Sequence, residues 1–304
     1  MSVLRLSTLL DEFSIVKSYE VFNEQEFDTL ALVRSNIPLD YCTFLDDEKY
    51  AINIPSHAKM ILTTKSIAEK LKDNHLGICI VDNPRIVYFK LHNCLENSTM
   101  YIRDKTDTTI GNNCNISKLT SIANKNVIIG NNVIIEEFVT IRENTIIGDN
   151  CIIRSGVKLG SVDFEFKYDG NHIFGVNHYG GIVIEDNVEI QCNSVVNRGL
   201  YPWDDTVIGD FTKIDAGVII SHGVKIGKRN MITGQSVVGG RTIIGDDCWI
   251  GLNSTIKNGL TIGNQARINM GAVVSLDVAE HEAVTGNFAI EHRKFIENMK
   301  KSIT

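Results

Sequence analysis

A branched aliphatic residue returns at every sixth position along much of this chain. From residue 184 the column reads Ile184, Ile190, Val196, Ile208, Ile214, Ile220, Ile226, Ile232, Val238, Ile244, Ile250, Ile256, Ile262, Ile268 and Val274, with Pro202 its one break in register. An earlier block, Ile129, Ile135, Ile141, Ile147, Ile153 and Leu159, keeps the same step, and Ile110, Ile116 and Ile122 precede it one residue out of phase. An α-helix turns every ~3.6 residues and cannot hold a period of six. An ordinary strand alternates about every second residue and cannot run this far without turns. A unit of one short strand and one tight turn can. Three such units close a triangular coil, and stacked coils set the aliphatic residues above one another while neighbouring coils hydrogen-bond as parallel strands ~4.8 Å apart. β-branched side chains suit that buried pleated surface. Gly and Asn suit its corners, as in IGDFTK, IGKRNM, IGDDCW, IGLNST and IGNQAR, because corners often need positive φ. Cys114, Cys151 and Cys248 each fall four residues after a column residue, a position for small inward side chains. The expected fold is therefore mainly β, a parallel β-helix of hexapeptide repeats.

The remainder of the chain reads differently. Residues 1–98 carry no hexads. KMILTT (59–64) and GICIVDN (77–83) read as strands, and SIAEKLKDN (66–74) and PRIVYFKLHNCLEN (84–97) as helices, the second opened by Pro84. This predicts a small α/β domain over 1–98, a β-helix over 99–276, and a short helical segment over 277–304 centred on NFAIEHRKFIENMKK (287–301). Residues 160–181, GSVDFEFKYDGNHIFGVNHYGG, interrupt the repeat as an inserted loop rich in aromatics, Gly and His, and a loop of that length inside a solenoid points to function.

Composition removes several classes. A net charge of −7 argues against a nucleic-acid partner, which needs clustered Lys and Arg. No apolar run approaches the ~18 residues of a membrane span, and the start MSVLRLSTLLDEF reads as an amphipathic element rather than a signal peptide. The seven Cys are odd in number, scattered and without Cys-x-x-Cys, so neither a disulfide framework nor a metal site is expected, and a cytoplasmic location is.

The hexads resemble those of the left-handed parallel β-helix of bacterial hexapeptide-repeat acyltransferases, over residues 105–276. The order of an α/β domain, a solenoid and a short helix is similar to the UDP-3-O-acylglucosamine N-acyltransferases of lipid A synthesis. TFLDDEKYA (43–51) is similar to the stretch that holds the uracil there, with Phe44 and Tyr50 matching the two stacking aromatics. The polar base reader is usually Asn three after the first aromatic. Asp47 stands there in this chain, an acceptor without a donor amide. VEIQCNSVVNRGLYPWDDTVIGDFTKID (188–215) resembles the run ending in Lys-x-Asp, and ISHGVKIG then sets His222 where the family places its catalytic base.

The resemblance implies amide formation from a thioester and a sugar amine. A sugar ammonium must lose a proton before it attacks, and an imidazole with an ordinary pKa near ~6.5 suits that task. Residues 18 apart stack on adjacent coils, so His222 lies beside Gly240, whose backbone amide takes the oxyanion-donor role. Asp215, seven before His222, takes the role of an orienting acid. Asn197 and Arg198 are candidate substrate contacts, Arg198 for a phosphate, and His172 and His178 in the inserted loop are left outside the catalytic set. The preferred reading is an N-acyltransferase acting from acyl-coenzyme A, with a short 3-hydroxyacyl group, on a dTDP-3-amino-3,6-dideoxyhexose for O-antigen. The C-terminal segment, shorter than the carrier-protein-binding extension of the lipid A enzyme, favours coenzyme A. No bound cofactor or metal is expected, and a homotrimer is. The alternatives are the lipid A enzyme itself with an acyl carrier protein donor, and a non-catalytic scaffold. A γ-carbonic-anhydrase-like metal enzyme is set aside because the solenoid outside the inserted loop offers only His222.

Overall fold

The computed structural model describes residues 4–71, 76–98, 101–286 and 289–303. The chain forms two compact units. One comprises Met1–Lys105, Val162–Gly180 and Leu200–Asp204, the other Thr106–Ser161, Gly181–Gly199 and Asp205–Thr304.

In the first unit, α1 (Leu6–Glu12), α2 (Lys65–Ala68) and α3 (Pro84–Cys94) accompany a five-stranded sheet. Its order is Glu20–Phe22, Gly77–Ile80, Ala58–Thr63, Tyr41–Leu45 and Thr29–Leu30, with the first strand antiparallel and the rest parallel. Both expected strands are present. The second expected helix is α3, continued by a 3-10 turn at Leu95–Asn97. The first shrinks to α2, and its expected end, residues 72–74, lies outside the described residues. Asn83 caps α3 by accepting the Ile86 N–H at 3.3 Å, and Pro84 occupies the first turn, where its missing N–H costs nothing.

The inserted residues supply core to this first unit. Phe166–Asp169 and His172–Gly175 form an antiparallel hairpin. Phe174 packs on the core, the Lys167 ammonium sits 4.4 Å over the Phe89 ring, and Asp169 pairs with Lys90 at 2.6 Å. The YPWDD stretch does the same. Tyr201 is fully buried and accepts a hydrogen bond from the Tyr88 hydroxyl at 2.9 Å, and the Trp203 indole N–H donates to the Leu30 carbonyl at 2.9 Å. Two separate excursions from the repeat thus complete one core, and the expected single inserted loop is only the longer of them.

The second unit is the solenoid. Its strands stack into parallel sheets of eight, eight and nine. The interior is one continuous column that includes Ile129, Ile147, Ile184, Ile220, Ile250 and Ile268. Partners are offset by 18 residues, as in Ile220↔Val238 and Ile214↔Ile232. Leu159 instead pairs with Val196 across the longer excursion, and Val196 with Ile220 across the YPWDD stretch. The second detour adds one hexad length, so the aliphatic period survives while Pro202 leaves the column.

Corners repeat a second device. The residue two after a column position is often Asp or Asn, and its side chain accepts a backbone N–H from the preceding coil. Asn131 donates to Asp149 at 2.6 Å, Asp149 to Asp186 at 2.7 Å, Lys228 to Asp246 at 2.8 Å and Asp246 to Asn264 at 2.9 Å. The inward cysteines act in the same way. The thiols of Cys114, Cys151 and Cys248 each donate to a carbonyl of the next coil at 3.1 Å, as the Thr212 hydroxyl does at 3.0 Å. Burial pushes the Cys151 thiol up to about 11. Past the last coil, α4 (His292–Ile303) provides the C-terminal helix, and its expected first residues 287–288 lie outside the described residues. No described helix is long and apolar enough to cross a membrane.

Candidate active site

His222 owes its place to the register. Ile219–Ile220 puts Ile220 in the interior column, and the following turn carries Ser221, His222 and Gly223. Gly223 adopts φ +65°, which glycine takes without steric cost, so the turn forms directly behind the half-buried imidazole. Two hydrogen bonds pin that turn to its neighbouring segments. The Gly223 N–H donates to Thr206 Oγ1 at 2.9 Å, and the His222 carbonyl accepts the Arg241 N–H at 2.9 Å. Thr206 is fully buried and donates its own hydroxyl hydrogen to the Asn197 carbonyl at 2.6 Å.

The next coil brings Gly240 against the imidazole. A Cβ at Gly240 would stand 2.6 Å from His222 Cε1, 2.8 Å from Nε2 and 3.0 Å from Nδ1, so the ring lies over a position that only a residue without a side chain leaves open. The flanking Gly239 and Arg241 N–H groups join the inter-coil ladder, to the carbonyls of Ile256 and His222. The Gly240 N–H donates to no carbonyl or side chain among the described residues. The His222 imidazole and an uncommitted backbone donor therefore meet at one corner.

Asp215 sits elsewhere. It follows Lys213–Ile214 at the corner before Ile219–Ile220, whereas His222 is at the corner after that strand. Its Oδ1 accepts the Ala216 N–H at 2.8 Å and its Oδ2 the Gly234 N–H at 2.9 Å. The carboxylate thus braces its own corner against the next coil. Arg198 is also tied to backbone. Its Nε donates to the Gly160 carbonyl at 3.0 Å and its Nη2 to the Glu143 carbonyl at 2.6 Å. Asn197 is buried beside it and contributes the carbonyl that Thr206 uses.

The other expected residues belong to the first unit. Phe44 lies near the end of Tyr41–Leu45, its ring 4.9 Å from Tyr88 and 5.8 Å from Phe89. Tyr50 ends the 3-10 turn Glu48–Tyr50, with Lys49 Nζ 4.8 Å and the Arg34 guanidinium 5.4 Å from its ring. Asp47 caps that turn. It accepts the Lys49 N–H at 3.0 Å and pairs with the Lys49 ammonium at 2.7 Å, and these hydrogen bonds hold its carboxyl below the usual carboxylate range. Two residues escaped the sequence analysis. Arg85 lays its guanidinium 5.3 Å from the Phe44 ring centre, and Thr206 braces the His222 turn. Their partners lie 41 and 17 residues away, and only Thr206, inside the hexads, left a countable signal. In the excursion His178 is buried, its Nδ1 3.0 Å from the Val176 carbonyl, while His172 is exposed in the hairpin. No cluster of His, Cys, Asp and Glu suited to a metal ion occurs among the described residues.

Comparison with known proteins bears on the fold. The family described as "Bacterial transferase hexapeptide (six repeats)" matches residues 126–161 and 205–240, and "Hexapeptide repeat of succinyl-transferase" matches 241–275. A UDP-3-O-acylglucosamine N-acyltransferase of Legionella pneumophila is 40% identical over 83 residues, 27% of this chain and 24% of the relative. One from Rickettsia conorii is 39% identical over 84 residues, 28% of this chain and 24% of its own length. The alignments thus span about a quarter of the length of the curated relatives. Among solved structures, a UDP-N-acetylglucosamine acyltransferase from Campylobacter jejuni aligns with TM-score 0.54 at 21% identity, covering 64% of this chain and 79% of that one. The Arabidopsis enzyme aligns with TM-score 0.50 at 24% identity, covering 59% and 68%. These likenesses bear out the left-handed β-helix. The chain is a hexapeptide-repeat β-helix protein that resembles the UDP-3-O-acylglucosamine N-acyltransferases.

Proposed function

We propose that this chain transfers an acyl group from a thioester to the amine of a nucleotide-linked amino sugar. The observation that carries the reading is the His222 imidazole lying on Gly240, whose N–H the inter-coil ladder leaves over. The imidazole accepts a proton from the sugar ammonium, and the freed nitrogen attacks the thioester carbonyl. The Gly240 N–H receives the oxyanion of the tetrahedral intermediate. Collapse breaks the carbon–sulfur bond, the imidazolium returns its proton to the leaving thiolate, and the attacking nitrogen sheds its excess proton to solvent. The products are an amide and a free thiol. Thr206 and Asp215 act as positioning residues, one for the turn that bears the base and the other for the corner leading into it.

The relatives' names favour UDP-3-O-acylglucosamine as acceptor over a dTDP-3-amino-3,6-dideoxyhexose; the first reading takes an acyl carrier protein as donor and the second acyl-coenzyme A. The second reading keeps one supporting observation, that Lys49 holds Asp47 where an amide reader stands in the family. Phe44 and Tyr50 are the candidate base contacts, Asn197 and Arg198 shape the corner beside the base, and a homotrimer is the proposed assembly. The full chain is to be given each acceptor with each donor, and acceptor-dependent thiol release measured. Release confined to UDP-3-O-acylglucosamine and acyl carrier protein supports the first reading, and release confined to the dTDP-sugar and acyl-coenzyme A supports the second. Release that ignores the acceptor, or none in any combination, contradicts amide formation.

A further inference from the structure

We propose that α4 docks this chain on an anionic lipid surface, lying along it with its apolar stripe in the headgroup boundary. Three observations carry the proposal. First, the helix is amphipathic and its apolar stripe stands open. Met299 lies four after Phe295 and three after Ile296, so the three share one side. Phe295 is 52% exposed and Met299 41%, and every residue from His292 to Lys301 except Ile296 is exposed. A helix of 12 residues is marginal in water on its own, so a stripe of this kind calls for a covering surface. Second, the charge is one-sided. Arg293, Lys294, Lys300 and Lys301 stand against Glu297 alone within the helix, in a chain whose net charge is −7. An anionic surface therefore attracts α4 and repels the rest of the chain, which fixes the part that makes contact. Third, two of these cations do not serve the helix itself. Lys300 and Lys301, in the last turn, suit the helix dipole. Arg293 and Lys294 stand in the first turn, at the positive pole, where a cation costs stability and where Glu291 already caps the Lys294 N–H at 3.2 Å. A ligand outside the helix accounts for their charge.

The arrangement suits a bilayer surface. At ~18 Å long, α4 is too short to cross a hydrocarbon core of ~30 Å and lies on it instead. Arg293 and Lys300, seven apart, flank the stripe on the Ile296 side, where their aliphatic stems lead the charges to lipid phosphates as the stripe enters. Lys294 and Lys301, also seven apart, fall on the far side of the helix, ~10 Å off and about one Debye length from the surface. Each Lys or Arg near an anionic surface strengthens binding about fivefold. Three apolar side chains make a weak anchor by themselves. In the homotrimer proposed above, cyclic symmetry sets three copies of α4 at one end, and a plane engages all three together, whereas a small acidic protein engages one. Only this gain in avidity rests on the homotrimer, and the docking does not depend on the reaction proposed above.

The test is co-sedimentation of the full chain with vesicles of phosphatidylcholine alone and of equal parts phosphatidylcholine and phosphatidylglycerol. Wild type is compared with two double variants, Phe295→Glu with Met299→Glu and Arg293→Gln with Lys300→Gln. Wild type is expected to bind the anionic vesicles about tenfold or more tighter than the zwitterionic ones, and to come off as NaCl rises from ~0.1 M to ~0.5 M. Each double variant is expected to lose about tenfold or more on the anionic vesicles, the first through the stripe and the second through charge. Circular dichroism melting confirms that both keep the wild-type fold. Wild type that stays in the supernatant with anionic vesicles overturns the proposal. Binding undiminished in both variants overturns the role of α4. Binding undiminished in the first alone overturns the buried stripe, and in the second alone the preference for anionic lipid. Wild type that ignores vesicles but binds holo-acyl carrier protein, with that binding lost in the same variants, overturns the lipid surface in favour of an acidic protein.

Discussion

Glycine at 240 has a narrower purpose than glycine at 223. Gly223 stands at positive φ, where any side chain is strained. Gly240 is not among the positive-φ residues, so its backbone tolerates alanine, and what forbids a methyl group is the His222 ring 2.6 Å away. Gly240→Ala is therefore expected to push the imidazole off its place with little change in Tm. Transfer should fall about 10²-fold, the scale of a displaced catalytic group. A fall in Tm that accounts for the lost activity would mark Gly240 as structural only. Thr206 offers a softer perturbation. Thr206→Val keeps the buried shape but removes both the acceptor for the Gly223 N–H and the donor to the Asn197 carbonyl. Two buried backbone groups then lose their partner, at a cost of about 1–3 kcal/mol each. Lower Tm and a lower kcat with an unchanged KM are expected, and a variant with wild-type kcat would remove Thr206 from the positioning set.

At the scale of elements, the coils are bound by their corners as well as by their column. Arg154 Nη1 and Nη2 reach Glu136 at 2.8 Å and Glu189 at 2.7 Å, and Glu136 also accepts the Ser155 N–H at 2.9 Å. Arg154 first, then Ser155, holds the Glu136 carboxyl below its ordinary value. A carboxyl with a lowered native pKa binds fewer protons folded than unfolded, so it stabilises the fold fully above the ordinary range near ~4.3. That contribution drains away as pH falls through the lowered value. Between about pH 5 and about pH 3 the Tm of wild type should therefore fall more steeply than that of Glu136→Gln. Parallel slopes would show that the three-residue bridge adds nothing, the usual result for exposed pairs. The carboxyls here are partly buried, with side-chain exposures of 28% and 20%, so a modest effect is expected.

Across the whole molecule, the sequence disclosed what counting discloses. An offset of 18 stacks residues on adjacent coils, so Gly240 beside His222 was legible before any coordinates. An offset of seven moves a residue to the next corner, so Asp215 lies one strand away from the base that the resemblance paired it with. Lys90 with Asp169 and Tyr88 with Tyr201 join segments whose separation follows no period, so nothing in the chain marked either excursion as part of the first core. Arg85 over Phe44 was hidden for the same reason. The cysteines were legible as small inward residues, but their hydrogen bonds to the next coil appear only once the coils are stacked.

Transfer stands or falls with the His222 base, and acceptor-dependent thiol release by wild type and His222→Ala tests it, using whichever donor and acceptor the wild type accepts. A loss of ~10²-fold or more in kcat is expected, with the fold intact by circular dichroism. A His222→Ala protein that transfers at the wild-type rate would contradict it.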